Sequence, residues 1–524
     1  MKNMKQYLNK NEKYIYFFVM LICSGYLIVA QFMNYYMEVY YNISTIPGIL
    51  IKSIVILIIC GFLIKFLRYI SNYKNFFSRK IQLVLIFCTT LIPRIILIQN
   101  FSIVQTSDYA NYLGNAISMF RDNTLTEGMI EYASAISGTL PFISKIFSYA
   151  FFFGDLNATT LLYLNIIFIL ITSLCIYYIV GEIFNYKIGF ISAITWSIWP
   201  NNLATSLYVL SEPMFMCFLC LSIVIYIFIK KNTKNLILAS LGYLLSGILL
   251  GMAQNIRPIG ILYIITFVII LFYECYVIFK KNRKLKLNIS IIILCIGYLV
   301  SNTLIQKFDL KYLPTISKPT YGWTIYEGNN PYSWGEWSQE TSDELSYVLN
   351  NNDIEDVQKI LLEKGIDQIK EYTLKEYVYL QARKAKSMFG QGSGFANDIK
   401  FIVKQQKDLI EFGAVPPIIY TWFSVSELIF KIFIYLFILY NLKNMYLLFT
   451  KNNMQIKILK SYMLFLIPLL LIICLHCLAT AIQRYAYPTL PLIIVFVISN
   501  ILSNDIILEQ EEKNDENINF NTSI

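Results

Sequence analysis

Apolar runs of about 18–25 residues, the length a bilayer core requires, recur along most of the chain. They fall at 14–33, 48–66, 81–99, 160–183, 188–206, 211–229, 236–253, 258–279, 287–305, 418–441, 459–478 and 484–502. The runs are continuously apolar, not alternating, so they predict helices and not the strands of a membrane barrel. About twelve transmembrane helices are expected, in an all-α polytopic membrane protein.

The connections alternate in charge. Residues 65–80, 230–234, 280–286 and 443–460 carry Lys and Arg, whereas 34–47 and the turn near 207–211 carry none. Positive loops stay cytoplasmic, which puts both chain ends inside. The basic N-terminal segment before the run 14–33 resembles a signal peptide. Its apolar part is long and no small-residue cleavage site follows, so a retained first span is expected.

This pattern divides the chain into an N-terminal two-span region (1–80), a transmembrane core (81–305) with a first external loop (100–159), an extracytoplasmic loop (306–417), C-terminal helices (418–502) and a disordered cytoplasmic tail (503–524). The loop 306–417 is polar, and its part 343–389 has helical periodicity. A small, mostly helical extracytoplasmic subdomain is expected there. The stretch EYASAISGTLPFISKIFSYAFFFG in the first loop is semi-apolar and suited to lying in the membrane interface.

Composition agrees: of 524 residues, 56% are hydrophobic and only 15% charged, against about 25% charged in soluble domains. The net charge of +10 belongs to topology-setting loops and forms no basic stripe with interleaved aromatics, so no nucleic-acid partner is expected; the lipid bilayer is. All ten Cys lie in apolar runs. The pairs Cys217–Cys220 and Cys474–Cys477 read as apolar fillers, and the lone His476 argues against a His/Cys zinc site.

Isolated charges stand at span ends. Asp108, in QTSDYANY, follows the third run. Glu212 opens the sixth in LYVLSEPMFM. Arg257 sits in GMAQNIRPIG between the seventh and eighth, and Arg484 and Tyr485 open the last in TAIQRYAYPTLP. The topology puts all of them at the external face. Charges at membrane depth cost about 2.5–3.5 kcal/mol each and usually face a cavity or a partner. Singly, the arginines read equally well as interface snorkels, and Glu212 with Pro213 as a helix first turn.

Together, acids and cations at a membrane surface suit transfer from a lipid-phosphate donor. A carboxylate takes the proton of an attacking hydroxyl, and arginines hold the phosphate as its charge develops. In GWTIYEGNNPYSWGEWS, Trp323, Tyr326, Trp334 and Trp337 could stack on sugars while Asn329 and Asn330 offer hydroxyl contacts; an interfacial aromatic belt reads the same way. Lys384 and Lys386 in LQARKAKSMF, and Lys145 in PFISKIF, either attract a lipid phosphate or line a solvated face. His476 reads as a structural histidine.

These motifs resemble the GT-C glycosyltransferases, in particular the protein O-mannosyltransferase and lipid A aminoarabinose transferase group (glycosyltransferase family 39-like). The resemblance rests on SDYANYLGNA, LSEPMF, GILLGMAQNIRPIG, GWTIYEGNNPYSWGEWS and QRYAYPTLP, spread over about residues 90–500. It implies a polyprenyl-phosphate-sugar donor and an extracytoplasmic acceptor (cell-envelope glycan, lipid or protein). The enzyme would lie in the cytoplasmic membrane with its site on the outer face. Asp108 would be the general base and Glu212 a second catalytic carboxylate, with Arg257, Arg484 and Tyr485 as substrate contacts. The group often has Asp-Glu where this chain has Asp108-Tyr109, leaving Glu131 or Asp155 to supply the further acid. The first two spans are additional to the group's usual start. No cofactor is implied; two external carboxylates could hold a divalent metal, yet the resemblance does not require one. The competing expectation is a transporter or flippase of lipid-linked substrates, against which stand the absence of an internal span repeat and of paired broken helices.

Overall fold

The computed structural model describes residues 10–71, 77–101, 105–233, 235–269, 272, 289–392, 394, 417–450 and 453–502. The expected tail 503–524 and the basic segment 280–286 lie outside the described residues.

The described chain is helical throughout. In order, the helices are α1 (Lys10–Tyr40), α2 (Ile46–Ser71), α3 (Arg79–Asn100), α4 (Ser107–Arg121), α5 (Met129–Ala135), α6 (Leu140–Ser148), α7 (Ala158–Ile183), α8 (Tyr186–Ser197), α9 (Pro200–Ala204), α10 (Glu212–Asn232) and α11 (Leu236–Ile256). Then come α12 (Gly260–Ile269), α13 (Ile289–Asp309), α14 (Gly322–Gly328), α15 (Gln339–Asn351), α16 (Val357–Glu371), α17 (Leu374–Phe389), α18 (Pro417–Thr450), α19 (Asn453–Leu478) and α20 (Leu490–Ile501). Among the described residues ten helices are long and apolar enough to cross a membrane. The protein is a multi-pass, all-α membrane protein.

Helix starts follow local chemistry. The Asn157, Asn185 and Asn235 side chains accept from the backbone N–H groups of the first turns of α7, α8 and α11, donors that have no partner within the helix. Ser338 and Thr373 open α15 and α17 with reciprocal capping boxes. Glycines set the tightest packing: a Cβ on Gly247 of α11 would meet the Leu294 carbonyl oxygen at 2.1 Å. Small residues allow this close approach of membrane helices.

The expected span 188–206 is not one helix. It breaks after Ser197, α9 begins at Pro200, and a 3-10 turn at Thr205–Leu207 follows. Proline supplies no N–H and disfavours helical geometry in the residue before it; Trp199 is accordingly non-helical, with ψ 123°. The freed carbonyls are met from within the fold. Arg94, fully buried, donates Nη1 to the Ser197 oxygen at 2.9 Å and Nη2 to that of Asn202 at 3.3 Å. Asn202 Nδ2 donates to the Trp196 oxygen at 2.7 Å. Non-helical backbone at membrane depth survives only where protein satisfies it in this way.

One large core runs through the spanning helices. A second, small core joins Tyr326, Leu345, Val348, Val357 and Leu361 of α14–α16 to Ala135 of α5. The two loop regions 100–159 and 306–417 therefore pack on each other through their described residues, over the helix ends where the isolated charges lie.

Candidate active site

The segment before Asp108 is pinned to the segment before Glu212. Gln105 Nε2 donates to the Leu207 oxygen at 3.1 Å, and Gln105 Oε1 accepts from Val209 N at 2.9 Å. The Tyr109 and Tyr208 rings meet at 4.8 Å. Ser107, directly before Asp108, has φ 51°, a left-handed geometry that costs a non-glycine residue about 1–2 kcal/mol. Strained backbone of this kind is held in place by such surrounding contacts.

Glu212 is the first residue of α10, where the helix dipole favours a carboxylate. Arg257 follows the last residue of α11 in extended geometry ahead of Pro258. The α10–α11 hairpin thus brings both to one end of the bundle, where Arg257 Nη2 donates to Glu212 Oε1. Arg484 arrives on the 3-10 turn Gln483–Thr489. Its Nη2 donates to Asp108 Oδ2 at 2.8 Å, and its Nε lies 2.9 Å from Glu212 Oε1 without the geometry of a hydrogen bond.

Burial is graded across this cluster. The Glu212 side chain is 3% exposed, Arg257 and Arg484 each 16%, and Asp108 46%. Glu212 Oε2 and Arg257 Nε are buried with no hydrogen-bond partner. Burial works against the charge of Arg257, but the nearby Glu212 carboxylate outweighs it and the pKa is raised.

Tyr485 lies between the arginines, each guanidinium carbon 5.9 Å from its ring centre. Its other neighbour is His476, stacked at 5.6 Å, whose Nδ1 pairs with the Thr480 oxygen at 2.7 Å. A cavity of about 430 Å³ opens here, lined by Glu212, Arg257, Arg484, Tyr485 and Thr480 together with apolar Ile259, Ile261, Ile325, Leu475 and Leu478.

Residues not foreseen as site residues complete the surroundings. Tyr112, one helical turn beyond Asp108, is half-buried and shares a hydrogen bond with Ser211 at 3.3 Å. Burial raises its pKa against the opposing effect of Arg257. Tyr132 lies within the fields of Asp108, Tyr485 and Glu327. Glu327, buried in GWTIYEGNN, accepts from Thr480 Oγ1 at 2.7 Å. Burial pushes its carboxyl up to about 7, with the Asp108 charge adding to the shift.

The remaining expected contacts stand apart from the ion-paired cluster. Trp323 packs against the small second core. Asn329 Nδ2 donates to the Leu478 oxygen at 2.8 Å, and Asn330 Oδ1 caps the turn at Tyr332 and Ser333. Lys145 Nζ donates to Asn123 Oδ1 at 2.8 Å, and Lys386 is half-buried on α17. Its neighbour Lys384 is buried, donates to the Cys477 oxygen at 3.0 Å, and is lowered to about 7 by that burial. Glu131 and Asp155 are exposed.

Residues 139–302 match the family model of dolichyl-phosphate-mannose-protein mannosyltransferase. That stretch contains Glu212 and Arg257, while Asp108 and Arg484 lie outside it. No curated protein matches the sequence. Among solved structures, the chain is similar to ArnT from Cupriavidus metallidurans bound to undecaprenyl phosphate, at TM-score 0.37 and 8% identity over 81% of this chain and 78% of that one. It is also similar to the apo oligosaccharyltransferase of Archaeoglobus fulgidus, at TM-score 0.45 and 12% identity over 84% of this chain and 53% of that one. The chain thus spans about half the length of the latter, and both likenesses are loose. The family match, taken with the motifs and the all-helical multi-pass fold, supports a GT-C superfamily membrane glycosyltransferase.

Proposed function

We propose that the chain transfers a sugar from a polyprenyl-phosphate donor to an extracytoplasmic acceptor, with Asp108 as general base. The observation that carries this reading is the Asp108–Arg484–Glu212–Arg257 cluster, of which Glu212, Arg257 and Arg484 line the 430 Å³ cavity and Asp108 is joined to them through Arg484. In the proposed step the acceptor hydroxyl oxygen attacks the anomeric carbon and its proton passes to Asp108. The bond from that carbon to the phosphate oxygen breaks, and the lipid phosphate leaves with the electron pair. Arg257 and Arg484 meet the phosphate charge. Glu212, shared between them, keeps both guanidiniums aligned and within a few ångströms of each other. Interactions of this kind count most where water is excluded.

The apolar lining of the cavity suits the first isoprene units of the donor, whose tail stays in the bilayer. The clustering of charge at one end of the bundle favours transfer over transport, which would string charges through the membrane. The site faces outside in this reading, as the charge of the loops expects.

The test is donor binding. Purified protein is titrated with polyprenyl phosphate, and Arg257→Met and Arg484→Met are compared with wild type. Losing one charge-assisted contact is expected to weaken binding about tenfold or more. Wild-type affinity in both variants would remove the phosphate from this site.

A further inference from the structure

His476 is the single histidine of the chain, and the proposed reaction does not use it. It stands near the end of α19 and is 5% exposed, which alone fits a structural role. Its placement says more. It lines the same cavity as Glu212, Arg257 and Arg484. Its ring stacks at 5.6 Å on Tyr485, the ring that lies between the two arginines.

The hydrogen-bond pattern fixes the tautomer. Nδ1 lies 2.7 Å from the Thr480 backbone oxygen. A carbonyl oxygen only accepts, so Nδ1 carries the hydrogen. Two guanidiniums flank the Tyr485 ring and disfavour a third positive charge beside it. The nearby acids are already engaged, Glu212 by the arginines and Glu327 by Thr480. In the neutral ring Nε2 is then an acceptor with a free lone pair. Among the described residues nothing donates to it, and the atom is not sealed from the cavity. Gln254, in the same lining, is its counterpart. Its Oε1 accepts from Ile261 N at 2.6 Å, which leaves the amide nitrogen as a donor.

We infer that His476 Nε2 accepts a hydrogen bond from a hydroxyl of the donor's sugar and so distinguishes the sugar from the rest of the donor. The inference rests on the reading of the charged cluster as a sugar-phosphate site. A sugar brings hydroxyls that donate to His476 and accept from Gln254. An isoprene chain brings neither. A phosphate brings charged oxygens that accept only, and these repel the Nε2 lone pair. A buried acceptor left unmet by the wrong occupant costs more than the bond itself contributes, which makes this nitrogen selective for a hydroxylated group.

The single histidine makes the test direct. The full chain, labelled with ¹⁵N-histidine and freed of any histidine tag, gives one pair of ring-nitrogen signals by NMR. In the free protein Nδ1 is expected to be protonated and Nε2 bare. Polyprenyl-phosphate mannose or polyprenyl-phosphate glucose should shift the Nε2 signal, and bare polyprenyl phosphate should leave it in place. His476→Asn keeps an amide nitrogen that can reach the Thr480 oxygen but has no acceptor at the Nε2 position. It should bind the sugar-bearing lipids about tenfold more weakly and bare polyprenyl phosphate as wild type does. An Nε2–H tautomer, an Nε2 signal unmoved by both sugar lipids, an equal response to the bare lipid, or wild-type affinity for the sugar lipids in His476→Asn would overturn the assignment. A wild type that binds no polyprenyl phosphate overturns the reading of the charged cluster and this inference with it; binding with a silent Nε2 overturns this inference alone.

Discussion

Arg484 donates to Asp108 at 2.8 Å across 376 positions of sequence. The pairing is asymmetric, since the Asp108 side chain is 46% exposed and that of Arg484 only 16%. The arginine is fixed by its surroundings, and the carboxylate stays half-exposed. An orienting partner on one oxygen and access on the other is what a base needs when it must meet a hydroxyl that arrives from outside.

Glu212→Gln should destabilise the protein more than any loss of a surface pair. It leaves two buried guanidiniums short of a carboxylate, and breaking a buried pair from one side costs about 3–5 kcal/mol. The comparison is Glu344→Gln, which removes the partly exposed pair with Lys364 and should cost at most about 1 kcal/mol. Thermal unfolding of the purified variants orders them. A midpoint for Glu212→Gln as high as that for Glu344→Gln contradicts the arrangement.

Stability should change with pH in two separate windows. Glu327 is raised from 4.5 to about 7 in the folded state, so the fold binds a proton that the unfolded chain has already released. That contribution is complete below about 4.5 and is lost as pH rises to about 7. Lys384 is lowered from 10.5 to about 7. Its penalty is present below about 7 and is relieved as pH rises toward 10.5. Unfolding midpoints measured across pH should flatten between about 4.5 and 7 in Glu327→Gln, and between about 7 and 10.5 in Lys384→Met. Wild-type slopes in these variants would assign the pH dependence to other groups.

Arg94→Met should loosen the broken segment that leads to Glu212. The substitution removes the Arg94 donor to the Ser197 carbonyl and leaves that of Asn202 only its bond from Thr205 Oγ1, and a buried acceptor left unpaired costs about 1–3 kcal/mol. Hydrogen exchange over residues 198–212 is expected to quicken in the variant while α20 keeps its wild-type protection. Unchanged exchange over 198–212 would mean that Asn202 and Pro200 suffice to hold the break.

Much of this architecture is visible in apolar run length, because the bilayer imposes one length on every span. What run length hides is local. The run 188–206 is apolar throughout, and only Pro200 with the two asparagines after it signals that the helix stops. The face shared by Asp108, Glu212, Arg257 and Arg484 follows from loop charge; their pairing does not, because it joins four chain segments by tertiary packing. Tyr112 was within reach, one turn from Asp108 on the same helix. Glu327 sat inside a motif read for its aromatics and asparagines. Its position beside Thr480 depends on Gly328, where a Cβ would meet the Ala479 backbone at 2.4 Å, a contact that no linear pattern carries.

The most direct measurement compares wild type with Asp108→Asn in envelope glycan mass spectrometry, in cells lacking the protein and complemented at matched membrane abundance. The account predicts that wild type restores a sugar mass and that Asp108→Asn lowers it by a factor of about 10²–10⁴ in transfer rate. Full restoration by Asp108→Asn would contradict the assignment of Asp108 as the base.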